Sequence, residues 1–448
     1  MSNNILFFPS HGPTQYEELA KNLQQKNSEI SIKFFLLDEP EKNFSFEYIT
    51  YEQLVDSCLH ERKLEDIDQD LYHCNLNDLV LMDRIHKKNS PKREILSKYL
   101  YALRKYLIEN SITHVFGYAL SDSITYGCFH VCQALGIKYH YINVTRLSTL
   151  YHLTSSRAGE GEPSSLQSFS DEEIYDLVDT MVKKKIVPKY ASDPNMIIKK
   201  SMFKVLQSAF GLLLTRIRVR NQYLDLHPPI SLAIKRFVNR KLLYKELLKF
   251  TRNFEQFKAK KFFFYPLHLH PETSTLVWGR WLNNQYEILK IIARVLPNDY
   301  ILLVKEHKVA AGRHRRGFYR KIAQLPNTFL IHHETNAHDV IASARCVVTI
   351  AGTAGFEALC HNKPVLMFGD VDYKCMQNVI QCNDLSKMRE CVDHAINLEV
   401  TDIHLDTNFI NFIKLKLNGS VSLAGYSAAS TDKNLIEDLS SLYLEKLN

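Results

Sequence analysis

The feature that most constrains this chain is a rhythm that runs through it twice. Short apolar runs with the look of buried strands each give way to a segment with helical spacing. The first series holds ILFFP at 5–9, a helix over Tyr16 to Gln25, ISIKFFLL at 30–37, a helix over Lys92 to Glu109, THVFG at 113–117, a helix from Asp122 to Leu135 and KYHYINV at 138–144. The second begins with KFFFYPL at 261–267, a helix over Trp281 to Val295, YILLVKE at 300–306 and a helix around Arg316 to Gln324. It continues with TFLI at 328–331, a helix over Ala337 to Ala344, CVVTI at 346–350, a helix from Gly355 to Cys360 and PVLMFG at 364–369. Strands separated by helices pair in parallel through right-handed crossovers, so each series predicts one doubly wound α/β domain. The 448 residues suffice to give each its own core. The expected fold class is α/β, with two Rossmann-like domains facing a cleft and joined by a helical region. Its divisions are an N-terminal Rossmann-like domain over 1–150, a connecting region over 151–258, a C-terminal Rossmann-like domain over 259–430 and a closing helix over 431–448. About 45–90 shows no clear pattern.

Between the two series the polar stretch 154–170, rich in Ser, Gly and Glu, reads as a loop or a mobile lid. Helical patterns follow at 171–185, 195–223 and 231–258, broken by Pro228 and Pro229. Charge is concentrated here. Residues 195–252 carry thirteen Lys or Arg against Asp225 and Glu246, while the whole chain has a net charge of only +7. With Met202, Phe203, Leu206, Phe210 and Leu213 at helical intervals, this segment suits an anionic membrane surface or a polyanionic glycan, or it is a solvated helical face. No aromatic platform accompanies it, so nucleic acid is not an expected partner. Nine cysteines without CxxC pairs fit a reducing compartment. The opening MSNNILFFPSHGP lacks a basic region and a long apolar core, and no run approaches the length of a bilayer span. The expected location is cytoplasmic, with peripheral attachment to the inner face of the membrane.

Four constellations could carry chemistry. In TIAGTAGFEAL (349–359) a buried strand turns through Gly352 and Gly355 into a helix bearing Glu357. Several unpaired N–H groups at the helix amino end, together with the helix dipole, would favour a phosphate, and Thr353 could add its hydroxyl; the alternative is a tight turn that needs glycine only for steric reasons. VKEHK (304–308) places Lys305, Glu306 and His307 at the carboxyl end of a parallel strand, where ligands of open sheets gather. An imidazole there can donate to a leaving phosphate, or it is a plain hydrogen-bonding residue. YPLHLHPETSTLVWGR (265–280) clusters His268, His270 and Glu272. Spacing supplies no fourth ligand and Pro271 argues for a loop, so a cleft-facing polar loop is expected rather than a metal. In the first half, His11 of PSHGPTQ and Asp122 of GYALSDS follow strands and are candidate bases, although Asp122 or Ser121 could instead cap a helix. Cys128, His130 and Cys132 of CFHVC read as core residues.

Together PLHLHPETSTLVWGRW, ILLVKEH and VVTIAGTAGFEALCHNKPVLMFG resemble the capsule polysaccharide biosynthesis family, which includes Kdo transferases of bacterial capsule assembly. The resemblance covers about 261–370 well and the first half in layout only. It implies a GT-B glycosyltransferase, metal-independent and inverting, that uses a CMP- or UDP-linked sugar as substrate without a cofactor. The acceptor would be a capsular or lipopolysaccharide glycan, or a glycolipid primer. By the same resemblance His307 would contact phosphate, Thr353, Ala354 and Gly355 would surround it by their backbone, and Glu357 would hold ribose. The family's His-Pro is His307-Lys308 here. Similar layout occurs in the non-hydrolysing UDP-N-acetylglucosamine 2-epimerases. An epimerase and a non-catalytic glycan-binding or export-coupling protein are therefore the rival expectations.

Overall fold

In the computed structural model the described residues are 3–9, 13–40, 44–58, 74–147, 150–185, 222–225, 230–422 and 433–447. Two seven-stranded sheets organise them. The first has the order β14-β6-β5-β4-β1-β2-β3, with β1 Asn4–Phe8, β2 Ser31–Leu36, β3 Tyr48–Thr50, β4 His114–Gly117, β5 Lys138–Val144, β6 Leu150–Thr154 and β14 Ser420–Ser422. The second runs β13-β12-β11-β8-β9-β10-β7, with β7 Thr251–Arg252, β8 Lys261–Pro266, β9 Tyr300–Lys305, β10 Thr328–Ile331, β11 Cys346–Thr349, β12 Val365–Met367 and β13 Val379–Gln381. Every pairing of the second sheet is parallel. In the first, β6 and β14 add an antiparallel edge.

The helices are α1 Pro13–Lys26, α2 Tyr51–Asp56, α3 Leu76–Met82, α4 Lys92–Glu109, α5 Ser123–Ala134 and α6 Asp171–Lys183. They continue as α7 Ile230–Phe250, α8 Gln285–Val295, α9 Phe318–Ala323, α10 Ala337–Ser343, α11 Thr353–Cys360, α12 Met388–Asn397, α13 Thr407–Leu417 and α14 Lys433–Glu445. Their ends follow capping chemistry. Asp122 accepts from the N–H groups of Ile124 and Thr125, and Ser170 with Glu173 forms a reciprocal capping box.

Strand residues are buried on both faces, as a helix-covered parallel sheet requires. Phe7 pairs in register with Phe34 and Phe116 across β2, β1 and β4, and Tyr443 of α14 closes that aromatic row 4.3 Å from Phe116. The terminal helix thus packs on the first half against α1 and its own strand β14.

Sheet membership departs from the expected divisions at 150, 258 and 430. The first sheet takes β6 as far as Thr154 and recovers 420–422, while 251–252 already pairs with β10 in the second. The expected helix over 231–258 therefore stops at Phe250, and Asn253 caps a short 3-10 turn after it. Most of the expected helix at 195–223 lies outside the described residues. The polar stretch 154–170 is a loop with many ties. The indole N–H of Trp278 donates to the Arg157 carbonyl (2.9 Å), Ser164 donates to Glu445 (2.6 Å) and Arg157 pairs with Asp370. Its polar side chains bond to neighbouring elements, so it is a bridge between the halves rather than a lid. Among the described residues no helix is long and apolar enough to cross a membrane.

Topology now says where a ligand belongs. In each sheet the chain builds outward from a central strand and then returns to its other side: β1 beside β4 in the first, β8 beside β11 in the second. Crevices open at the carboxyl ends of such strand pairs. The described loops so exposed are 118–122 in one half and 267–273 and 350–352 in the other.

Candidate functional site

A cleft of about 360 Å³ lies between the halves. The second half lines it with His268, Glu272, Trp278, His307 and the turn Ala351–Ala354, and the first with Arg84, Ser121, Val144 and Arg146.

The turn into α11 is built around one imidazole. His268 Nε2 accepts the backbone N–H of Ile350 at 2.8 Å, with Ala351 N at 3.4 Å, and Gln285 grips the His268 backbone at N and O. A nitrogen that accepts is unprotonated, so the His268 proton sits on Nδ1. Burial drives its pKa down to about 3, which keeps the ring neutral and the cap intact. Gly352 is dictated by this imidazole, since a Cβ would stand 2.8 Å from its Cε1. Gly355 likewise makes room for the Tyr373 hydroxyl, which donates to the Gly352 carbonyl at 2.6 Å. Both glycines thus have steric reasons. The anion-binding potential rests instead on which N–H groups stay open. Gly352 N donates to Thr349 Oγ1 and Gly355 N to Gly352 O. The N–H groups of Thr353 and Ala354, the first two of α11, have no partner among the described residues, and both residues line the cleft.

His307 repeats the device on the neighbouring loop. Its Nδ1 accepts the N–H of Val309 at 3.2 Å, which leaves Nε2–H as a donor. Burial lowers its pKa, the charge of Glu306 opposes that shift, and the ring stays neutral near pH 7. Glu306 does not line the cleft. It is fully buried, where it receives the Tyr319 hydroxyl (2.7 Å) and the His307 N–H (2.7 Å) and stands 3.0 Å from His314. Burial alone would raise its pKa, yet these partners hold it below the ordinary value. Its part is to shape the His307 loop.

Glu272 is the carboxylate that the cleft contains. Its backbone N–H and carbonyl are engaged with Thr275 and Leu276, while no hydrogen bond to its side chain occurs among the described residues. Desolvation raises its pKa, and Arg84 and Arg313 partly offset the rise. Arg84 crosses from the first half to donate to the Pro271 carbonyl at 2.9 Å, next to Glu272. His270 turns its Nδ1 to Thr275 Oγ1 (2.9 Å) and is not part of the lining. Among the described residues no group of three His, Cys, Asp or Glu is arranged to hold a metal ion.

Lys305 and Glu357 are buried and electrostatically linked. Burial brings the lysine down to about 8, and it raises the glutamate against the pull of His338, Lys305 and Arg146. Neither is among the lining residues, nor is Gly355. Asp122 does not line the cleft either. One carboxylate oxygen caps α5 and the other accepts from Tyr118 (3.0 Å) and Ser121 (3.2 Å), while Ser121 itself reaches the cleft. His11 lies outside the described residues.

Arg84 and Arg146 were not anticipated. Arg146 follows β5 with φ of +71°, and its Nε and Nη2 both donate to Asp372, which also pairs with Lys416. Its place two residues after a strand was the available signal. Arg84 sits where the sequence pattern was silent.

A family model described as capsule polysaccharide biosynthesis protein matches residues 181–383. The chain is similar to Protein FixF of Sinorhizobium fredii, at 24% identity over 157 residues, 35% of this chain and 37% of that protein. It is also similar to the capsule polysaccharide export protein KpsS of Escherichia coli, at 32% identity over 92 residues, 19% of this chain and 23% of that one. These alignments span well under half the length of either relative. Among solved structures, a Thermosulfurimonas dismutans KpsC described as a beta Kdo 2,7 transferase aligns at 13% identity over 77% of this chain and 89% of its own, with a TM-score of 0.34. The matched residues 181–383 include the donor-rich wall of the cleft.

Proposed function

We propose that the protein is a glycosyltransferase that moves a sugar from a CMP- or UDP-linked donor to a surface glycan or its lipid-linked primer. One observation carries the reading. The N–H groups of Thr353 and Ala354 and the carboxylate of Glu272, all without a hydrogen-bond partner among the described residues, line a single cleft with the Nε2–H of His307. The three N–H groups are neutral donors suited to a phosphate oxygen that gains charge as the sugar departs. The carboxylate is suited to accept a hydroxyl proton, and its raised pKa makes it a stronger base than an ordinary glutamate.

In this reading the acceptor hydroxyl gives its proton to Glu272 as its oxygen bonds to the anomeric carbon. The bond from that carbon to the phosphate oxygen breaks, and its electron pair stays on the phosphate held at α11. A single displacement of this kind inverts the anomeric centre. Arg84 keeps the 271–272 loop in place from the opposite wall. The Kdo-transferase resemblance and the family match support transfer to a capsular or related surface glycan.

A thermal-shift screen over CMP, UDP and GDP, followed by incubation of the matching nucleotide sugar with and without acceptor glycan, tests this. Stabilisation by one nucleotide and product only with acceptor is the expected result. Isomerised sugar nucleotide without acceptor would mean an epimerase, and no shift with any nucleotide would remove the donor site.

A further inference from the structure

Helix α7 presents two chemically different sides. Its inner side buries Phe237, Leu243 and Leu247, and Arg240 on that side donates to the carbonyls of Ala311 (3.1 Å) and Val309 (2.7 Å). Glu246, the one acid in the helix, accepts from the N–H groups of Gly317 (3.2 Å) and Arg320 (3.4 Å). The outer side exposes Lys235, Val238, Lys241, Leu242, Lys245, Leu248 and Lys249. At 3.6 residues per turn these seven fall within one arc of about 140°. The seven are four cations and three branched aliphatic side chains, and the arc holds no acid. Val238, Leu242 and Leu248 are 43%, 46% and 39% exposed, although such side chains gain by leaving water.

We propose that this outer face of α7 docks on an anionic lipid bilayer. Lysines on flexible stems suit lipid phosphates, and they can reach headgroups while the aliphatic residues between them enter the acyl boundary. A polyanionic glycan or a nucleic acid would answer the charge but offer nothing apolar to Val238, Leu242 and Leu248. A solvated face would not need the aliphatic residues. Arg313, Arg315 and Arg316 are exposed on the loop that α7 grips through Val309, Ala311 and Gly317, and they extend the basic surface. The same loop begins at His307, so a docked α7 holds the cleft's phosphate-facing loop beside the lipid surface. The inference stands on exposure and charge, independently of the transferase reading.

Vesicle flotation of the full chain tests it, with phosphatidylcholine alone and with about one third phosphatidylglycerol added. The protein should float with the anionic vesicles, stay behind with neutral ones, and be released as salt rises toward about 0.5 M. Lys235→Glu, Lys241→Glu, Lys245→Glu and Lys249→Glu together should weaken flotation at least about a hundredfold. Val238→Ser, Leu242→Ser and Leu248→Ser together should weaken it about tenfold while leaving it salt-sensitive. Melting curves of both variants should match the parent; a charge set that fails to fold is replaced by the Lys→Gln set and read the same way. Parent-like flotation of the folded variants, equal binding to neutral vesicles, or capture by a soluble anionic polysaccharide or nucleic acid without vesicle binding would overturn the proposal.

Discussion

The two walls of the cleft are made differently. The second-half wall comes from three short segments at neighbouring strand ends, and its donors are fixed before any ligand arrives. His268 and His307 each spend one ring nitrogen on a backbone N–H, so the proton on the other is assigned by the fold. The first-half wall is a set of side chains from separate segments, Arg84, Ser121, Val144 and Arg146, and its two arginines are anchored across the cleft to Pro271 and Asp372. One wall is preorganised by backbone geometry, the other by long-range ties. Charge that develops during reaction should therefore be met by the second wall, while the first wall should set orientation and affinity.

The largest test of that contrast is Glu272→Gln, which should lower kcat about 10²–10⁴-fold and change the melting temperature little. The parent rate should climb with pH above the usual carboxylate range, because Glu272 must be deprotonated and its pKa is raised; the variant should lack that limb. A parent-like profile would remove Glu272 as the base. Next in size, His307→Ala should cost about 10²–10³-fold in kcat with a smaller change in KM. Equal effects on both parameters would show that His307 contributes to binding alone.

Gly352→Ala probes the backbone device directly. Its Cβ would meet the His268 imidazole at 2.8 Å, so about 1–3 kcal/mol of stability should go, together with the nucleotide thermal shift. Unchanged melting with full nucleotide binding would refute the close packing. On the first wall, Arg84→Ala should raise KM about tenfold and leave kcat nearly unchanged, by releasing the 271–272 loop. A fall confined to kcat would put Arg84 among the groups that meet the developing charge.

A further effect is common to both halves. His140, His268 and His333 are buried with pKa values driven down to about 4, about 3 and about 4 from 6.5. Below pH 6.5 the unfolded chain takes up protons that the folded chain refuses. Stability is therefore full above that pH and lost as pH falls toward 4, by about 1.4 kcal/mol per pH unit for each histidine at most. Urea unfolding at pH 7.5 and 5.5 should show this slope, and His140→Phe should make it shallower. A flat profile would mean that these rings are protonated in the fold.

How much of this was legible can be read from particular residues. KYHYINV, TFLI and the helix from Lys92 to Glu109 stand where their apolar spacing put them, because a strand or helix buried on its apolar positions announces its own period. Thr251 and Arg252 carried no such mark. They are a strand only because β10 offers an open edge, and helical spacing through 258 concealed them. Ser420–Ser422 likewise becomes a strand only where the chain crosses back to β6.

By itself, the order of apolar runs determined that there are two doubly wound sheets, and therefore that His268, His307 and the Gly352 turn stand at strand ends where ligands collect. Local periodicity and strand-end position are properties of neighbouring residues, so one dimension suffices to write them. Tertiary structure alone decided that Arg84 faces Glu272, that Asp122 is consumed as a cap while the Glu272 carboxylate finds no hydrogen bond among the described residues, and that His268 fills the turn behind the open N–H groups. Those outcomes depend on which partners distant segments bring within hydrogen-bond reach, and no local spacing encodes that.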